Sequence, residues 1–382
     1  MISRRDILRS SALGLGTFIL SPGIALATVP TERRFVFIIQ RGAADGLNIV
    51  IPYADPAYAK LRGALAIDPA AATKLDSMFA LNPALVETAK MYGQKQALFV
   101  HAVASPYRDR SHFDGQNVLE TGGTQPYQMK DGWLNRLVAA MPRAKDEAIA
   151  IAATVPMALR GPVPVTSYAP SALPKPSDDL LIRVGQLYGQ DPQLHALWSA
   201  ALEAKGLAAD TAAKQDPASL GKLAASFLAK PNGPRIAMLE TGGWDTHSGQ
   251  EGRLSAQLKA LDTLLASLRD GLGPAWAQTT VLVATEFGRT AAANGTGGTD
   301  HGTGAVAWLI GGAVIGGRVV TDWPGLAPSQ LYEERDLKPT MALDNLITGA
   351  AAEALALDPA RLNRILFAGG ASGKPVTGLV TV

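Results

Sequence analysis

The stretch RRFVFIIQRG, residues 33–42, decides the fold. Its charged ends enclose an unbroken apolar run, Phe35 to Ile39, rich in aromatic and β-branched side chains. Such a run lacks the polar alternation of a half-exposed strand and describes one buried on both faces, as in a sheet covered by helices. Five further runs have the same character: ALFVHAVA (97–104), EAIAIAAT (147–154), RIAMLET (235–241), TTVLVATE (279–286) and AVAWLIGG (305–312). Between them lie helical patterns, the clearest being QEGRLSAQLKALDTLLASLRDGL (250–272), where Leu254, Leu258, Leu261, Leu265 and Leu268 recur at spacings of three and four. Strands alternating with helices predict an α/β fold with a mostly parallel central sheet flanked by helices. Ligands in such sheets gather at the carboxyl ends of the strands.

One region breaks the rhythm. Residues 156–176, PMALRGPVPVTSYAPSALPKP, carry six prolines, which favour turns and extended chain. Residues 156–230 therefore read as a loop and helical insertion in an otherwise single domain spanning 28–382.

The amino terminus has the layout of an export signal: a charged start, an apolar run from Ala12 to Leu20, and Ala25-Leu26-Ala27 before an expected cut after Ala27. Arg4-Arg5 within SRRDILR resembles the twin-arginine signal, so residues 1–27 predict export by the twin-arginine translocase to the periplasm or beyond. The apolar run is too short for a stable membrane span. Of the chain's 35 basic and 33 acidic residues, this segment holds three arginines and one aspartate, leaving 32 of each. A balanced chain of this kind offers no basic stripe for nucleic acid. Cysteine is absent, which excludes disulfides, thiolate metal sites and a cysteine nucleophile.

Chemistry is left to histidine, carboxylate and hydroxyl groups, and these collect just after the predicted strands. Asp45 follows the first, although Asp-Gly is also an ordinary turn dipeptide. Ser111 and His112 follow the second. Ser111 precedes a predicted helix with Asp114 three residues on, a near capping box, and a helix N-terminus equally suits a nucleophilic hydroxyl that receives an anionic group. His112 is a packing residue or a ligand. In GGWDTH, Asp245 and His247 alternate along an extended segment, so both can face one cation. Glu286 emerges from an apolar strand, where an unpaired carboxylate is costly, and a cation or Arg289 would relieve it. The glycines around Asp300 and His301 leave both free of steric cover, as loop ligands or as a flexible turn.

The segments RRFVFIIQRGAADGLNIVIPY, YRDRSHFDGQNVLETG, GGWDTHSGQ, VATEFGRT and GTDHGTGAVAWLIGG, in this order, resemble the signature segments of the domain of unknown function 1501 family. That family is placed in the alkaline phosphatase and sulfatase superfamily, and its members often carry twin-arginine signals. The resemblance implies an alkaline phosphatase-like fold, an anionic ester substrate and one or two divalent ions (zinc, manganese, calcium or magnesium). It implies Asp45, Asp245, His247, Glu286, Asp300 and His301 as metal ligands, Ser111 as nucleophile, and His112 and Arg289 as further catalytic groups. Arg108, Arg110 or Arg289 would bind the anion's remaining oxygens. The implied function is an exported metal-dependent hydrolase of a phosphate or sulfate ester; the alternative is a non-catalytic scaffold with a binding or assembly role at the cell envelope. Two departures stand out: Glu286-Phe287 replaces the superfamily's Asp-His pair, and Asp245 and His247 are two apart where four is common. Ala104 begins ASPYR where sulfatases carry the residue converted to formylglycine, which excludes that chemistry.

Overall fold

The computed structural model describes residues 32–142, 147–169, 178–188, scattered positions between 191 and 199, 216–367 and 373–381. The signal expected at 1–27 lies outside them. A nine-stranded sheet is built from β1 (Arg34–Gln40), β5 (Ala97–Ala104), β6 (Ala148–Ala150), β7 (Thr166–Ser167), β8 (Ile236–Thr241), β9 (Thr279–Thr285), β10 (Ala305–Ile310), β11 (Arg318–Val320) and β12 (Met341–Ala342). A small antiparallel sheet joins β2 (Val50–Ile51), β3 (Thr73–Lys74) and β4 (Ala80–Leu81). The order across the large sheet is β11-β5-β10-β9-β1-β8-β6-β7, with β12 also on β5.

β1 is central, paired in parallel with β8 and β9, which accounts for its unbroken apolar run. Phe35, Phe37 and Ile39 point to one face, where Trp133 meets the two phenyl rings edge-on. Val36 and Ile38 point to the other, toward the leucines of the Gln250–Leu272 helix. All five leucines of the expected stripe on that helix are buried, each contributing roughly 1.5–3 kcal/mol. The Pro217–Leu228 helix, capped by Asp216 with Pro217 in its first turn, packs along it. Gly221 permits this approach, since a Cβ there would stand 2.4 Å from the Leu264 carbonyl oxygen.

The six strands expected from sequence all form. β10 is antiparallel to both neighbours, and every other pairing in the large sheet is parallel. Within the segment 156–230, β7 extends the large sheet and the Pro217–Leu228 helix packs on the Gln250–Leu272 helix. No helix among the described residues is long and apolar enough to cross a membrane.

His101, in β5, is a structural histidine. Its ring is fully buried between Phe79 and Trp323. Its Nδ1 accepts from the Ala102 amide at 2.9 Å, so Nε2 carries the proton and donates to the Val50 carbonyl at 2.9 Å. Burial pushes its pKa down to about 4. A folded-state pKa below the unfolded value of about 6.5 means stability that is present above pH ~6.5 and lost as pH falls toward 4. The expected loss is about 3 kcal/mol between those limits. Urea unfolding at pH 7.5 and 4.5 should show the acid loss reduced by most of that amount in His101→Gln; an unchanged loss would contradict a buried neutral imidazole.

Candidate metal centre at the carboxyl edge of the sheet

The antiparallel direction of β10 brings the site together. β9 ends and β10 begins at the same edge, so the connection between them, residues 286–304, stays there. Arg289 and His301 form an isolated antiparallel bridge across it. The carboxyl end of β5 leads to the His112–Thr121 helix, and that of β8 leads to Asp245 and His247.

The hydrogen bonds fix the tautomer of each of three histidines. His112 Nδ1 lies 2.8 Å from Glu286 Oε1, His247 Nδ1 lies 2.9 Å from Asp300 Oδ1, and His301 Nδ1 lies 2.9 Å from the Arg110 carbonyl oxygen. Each partner is an acceptor, so each Nδ1 donates and each neutral ring presents its Nε2 lone pair. Those lone pairs gather around Asp245. His247 Nε2 is 2.9 Å from His301 Nε2; Asp245 Oδ1 is 3.1 Å from the first and 3.4 Å from the second. His112 Nε2 is buried without a hydrogen-bond partner, 3.4 Å from Asp245 Oδ2. One donor atom each from His112, Asp245 and His301 lie within 4.8 Å of one another. Lone pairs and a carboxylate cannot face one another at these distances unless a cation or a proton relieves them. The donor set is that of a divalent ion held by imidazole and carboxylate, and every ligating ring would have its far nitrogen pinned by an oxygen.

Glu286 is the most buried member. Its Oε1 accepts from the Gly42 amide at 2.8 Å and from Gln116 Nε2 at 3.0 Å as well as from His112, and its Oε2 accepts from Thr285 Oγ1 at 2.9 Å. Gly42, at φ +121°, has no alternative residue, because a Cβ there would stand 2.6 Å from the Asp245 amide nitrogen. Burial alone would raise the Glu286 pKa, but His112, Gln116 and backbone amides hold it below the usual carboxylate range. The Glu286 bond in turn raises His112. At Asp245 burial again opposes ionisation, and Arg289 reverses it, so its pKa is lowered. Burial, then the charge of His112, lower His301. Asn294 and His247 lower Asp300. Of His112 and His301, His112 is therefore the ring on which a proton sits more easily.

Eight of the nine site residues expected from sequence lie in or beside this cluster, several in altered positions. His112, expected among the catalytic groups, is one of the three residues whose donor atoms lie close enough together to share an ion. Glu286, expected as a ligand, is fully buried with three protein donors on Oε1, one of them His112. Asp300 orients His247. Arg289 reaches Asp245 Oδ1 at 2.8 Å and places its remaining nitrogens on Thr299, so it holds a ligand and is not open to an anion. Arg110 is similarly paired with Asp336 and Glu333, and Arg108 donates to the Ser105 and Tyr107 carbonyls.

Ser111 is the N-cap residue, but its side chain makes no capping bond, so the near capping box does not form. Asp45 is the exception. Arg62 grips both its oxygens at 2.8 Å, the Leu47 amide adds a bond at 3.2 Å and Gln250 one at 2.5 Å, so the carboxylate has no face left for an ion. Gln116, Gln250, Asn294 and Thr299 escaped sequence reasoning, since an amide or hydroxyl carries no spacing signal of its own.

Fold and site together define an α/β protein with a His/Asp cluster that could hold a metal ion at the carboxyl edge of a mostly parallel sheet. The chain belongs to the family described as "Protein of unknown function (DUF1501)", which matches residues 32–366. No curated protein matches it in sequence. Among solved structures it is similar to the C-terminal periplasmic domain of EcEptC from Escherichia coli, in complex with zinc, at 9% identity over 74% of this chain and 73% of that one, with a TM-score of 0.39. It is also similar to the phosphonate monoester hydrolase of Agrobacterium radiobacter, at 9% identity over 90% of this chain and 79% of that one, with a TM-score of 0.38. Likenesses this slight carry no functional argument.

Proposed function

We propose that this chain is an exported, metal-dependent hydrolase of a phosphate or sulfate ester, with an alkaline phosphatase-like arrangement. The observation that carries the reading is that donor atoms of His112, Asp245 and His301 lie within 4.8 Å of one another, with His247 Nε2 2.9 Å from that of His301 and 3.1 Å from Asp245 Oδ1. Imidazoles with a single carboxylate favour zinc over the oxygen-seeking magnesium and calcium. His112, Asp245, His247 and His301 would hold the ion, which supplies positive charge to offset an anionic ester. Glu286 and Asp300 keep His112 and His247 in the ligating tautomer, and Arg289 holds Asp245. Ser111, at the N-terminus of a ten-residue helix and not engaged in capping, is the candidate nucleophile. The twin-arginine-type signal supports a periplasmic or secreted location.

Ser111→Ala separates the roles. Hydrolysis of p-nitrophenyl phosphate or sulfate by metal-loaded protein should fall at least about a hundredfold, the scale of losing a covalent nucleophile, with bound metal unchanged. An unchanged rate would remove Ser111 from the chemistry. A second reading, a metal-binding scaffold without turnover, is favoured by one feature: Arg289, the arginine beside the cluster, has all three of its nitrogens engaged within the protein, and Arg110 is paired with two carboxylates. Metal-loaded wild-type protein inert toward a panel of phosphate mono- and diesters and sulfate esters would support that reading.

A further inference from the structure

A line of buried polar side chains runs from Asp45 to Asp245, and each bond in it has a fixed sense. Asp45 is held by Arg62 through two bonds of 2.8 Å and can only accept. Gln250 must therefore present its amide nitrogen to Asp45, at 2.5 Å, and its oxygen away from it. That oxygen accepts from the Thr299 hydroxyl at 2.6 Å and from the Thr246 hydroxyl at 2.9 Å. With its proton given to Gln250, Thr299 Oγ1 turns a lone pair to Arg289 Nε at 3.1 Å, while the Thr299 carbonyl takes a terminal nitrogen of Arg289 at 2.6 Å. The guanidinium plane is then set, and its other terminal nitrogen meets Asp245 Oδ1 at 2.8 Å. Arg62, Asp45, Gln250, Thr246, Thr299 and Arg289 are each no more than 1% exposed, so water does not compete for these bonds.

We propose that Gln250 and Thr299 are positioning residues for the metal centre: anchored on the Asp45–Arg62 pair, they orient Arg289 and through it the Asp245 carboxylate that receives the cation. This rests on the metal-centre reading above. Thr246 supplies an internal contrast, because its hydroxyl meets the same Gln250 oxygen and has no bond to Arg289.

The test is zinc affinity of the metal-stripped full chain, measured by competition with a chromophoric chelator. Thr299→Val should weaken zinc binding about 10- to 100-fold, the effect of disturbing a group that orients a ligand. Thr299→Ser, which restores the hydroxyl, and Thr246→Val should each stay within about threefold of wild type on the same scale. Should the valine variant fail to fold, Thr299→Ala carries the same expectation. Wild-type affinity in the Thr299 variant, or equal weakening by Thr299→Val and Thr246→Val, would overturn the proposal. Wild-type protein that takes up no zinc would overturn the metal centre and this inference with it. Zinc binding without ester hydrolysis would end the hydrolase reading alone and leave the positioning role standing.

Discussion

Replacing Asp245 and His301 together by alanine should abolish stoichiometric metal binding while leaving the sheet intact. The magnitude follows from what is removed. Binding free energies for protein-held zinc are about 10–16 kcal/mol, and this change deletes two of the four proposed ligands, so roughly half is lost. A loss of about 5 kcal/mol is more than a thousandfold in affinity. Both residues sit on connections after or before strands, and neither fills the core: the Asp245 side chain is 42% exposed and that of His301 25%. Removing Asp245 also takes the carboxylate partner from the buried Arg289 guanidinium, so the metal-free variant should still unfold cooperatively but at a lower urea concentration than metal-free wild type. Retention of one tightly held ion by the double variant would place the metal elsewhere.

The second large effect is on stability. Arg62 and Asp45 form a fully buried, bidentate ion pair. Arg62→Met would leave the Asp45 carboxylate with only Gln250 and one backbone amide as partners, away from water. Breaking a buried pair from one side costs about 3–5 kcal/mol, a large share of a typical folding free energy of about 5–15 kcal/mol. Asp45→Asn combined with Arg62→Met keeps an acceptor for Gln250 and removes both charges, so the double variant should be more stable than Arg62→Met alone. Urea denaturation checks the order. A single Arg62→Met variant within about 1 kcal/mol of wild type would show that no uncompensated charge had been created.

The sheet was legible because its central strands bury both faces, so Phe35 to Ile39 and Val281 to Ala284 read as unbroken apolar runs. Strand direction leaves no such mark: Ala305–Ile310 runs against its neighbours with a composition like theirs. The edge strands Thr166–Ser167 and Met341–Ala342 are two residues each, too short for a periodicity. At the site, the ligand types and their gathering at one edge could be read from sequence, whereas their division of labour could not. Asp45 followed by Gly46 looks the same in sequence whether it meets an ion or Arg62, seventeen residues on. Glu286 and Asp245 are both carboxylates after strands; only the three protein donors on Glu286 Oε1 distinguish it from the more open Asp245. His112 was harder still, since a histidine in a first helical turn has no pattern that separates packing from ligation.

Elemental analysis of the purified wild-type chain tests the metal centre most directly. The expected result is roughly one equivalent of a divalent transition ion, zinc foremost, per chain, lost when Asp245 and His301 are replaced. Folded wild-type protein that is isolated without metal, and stays metal-free after exposure to zinc and manganese, would contradict it.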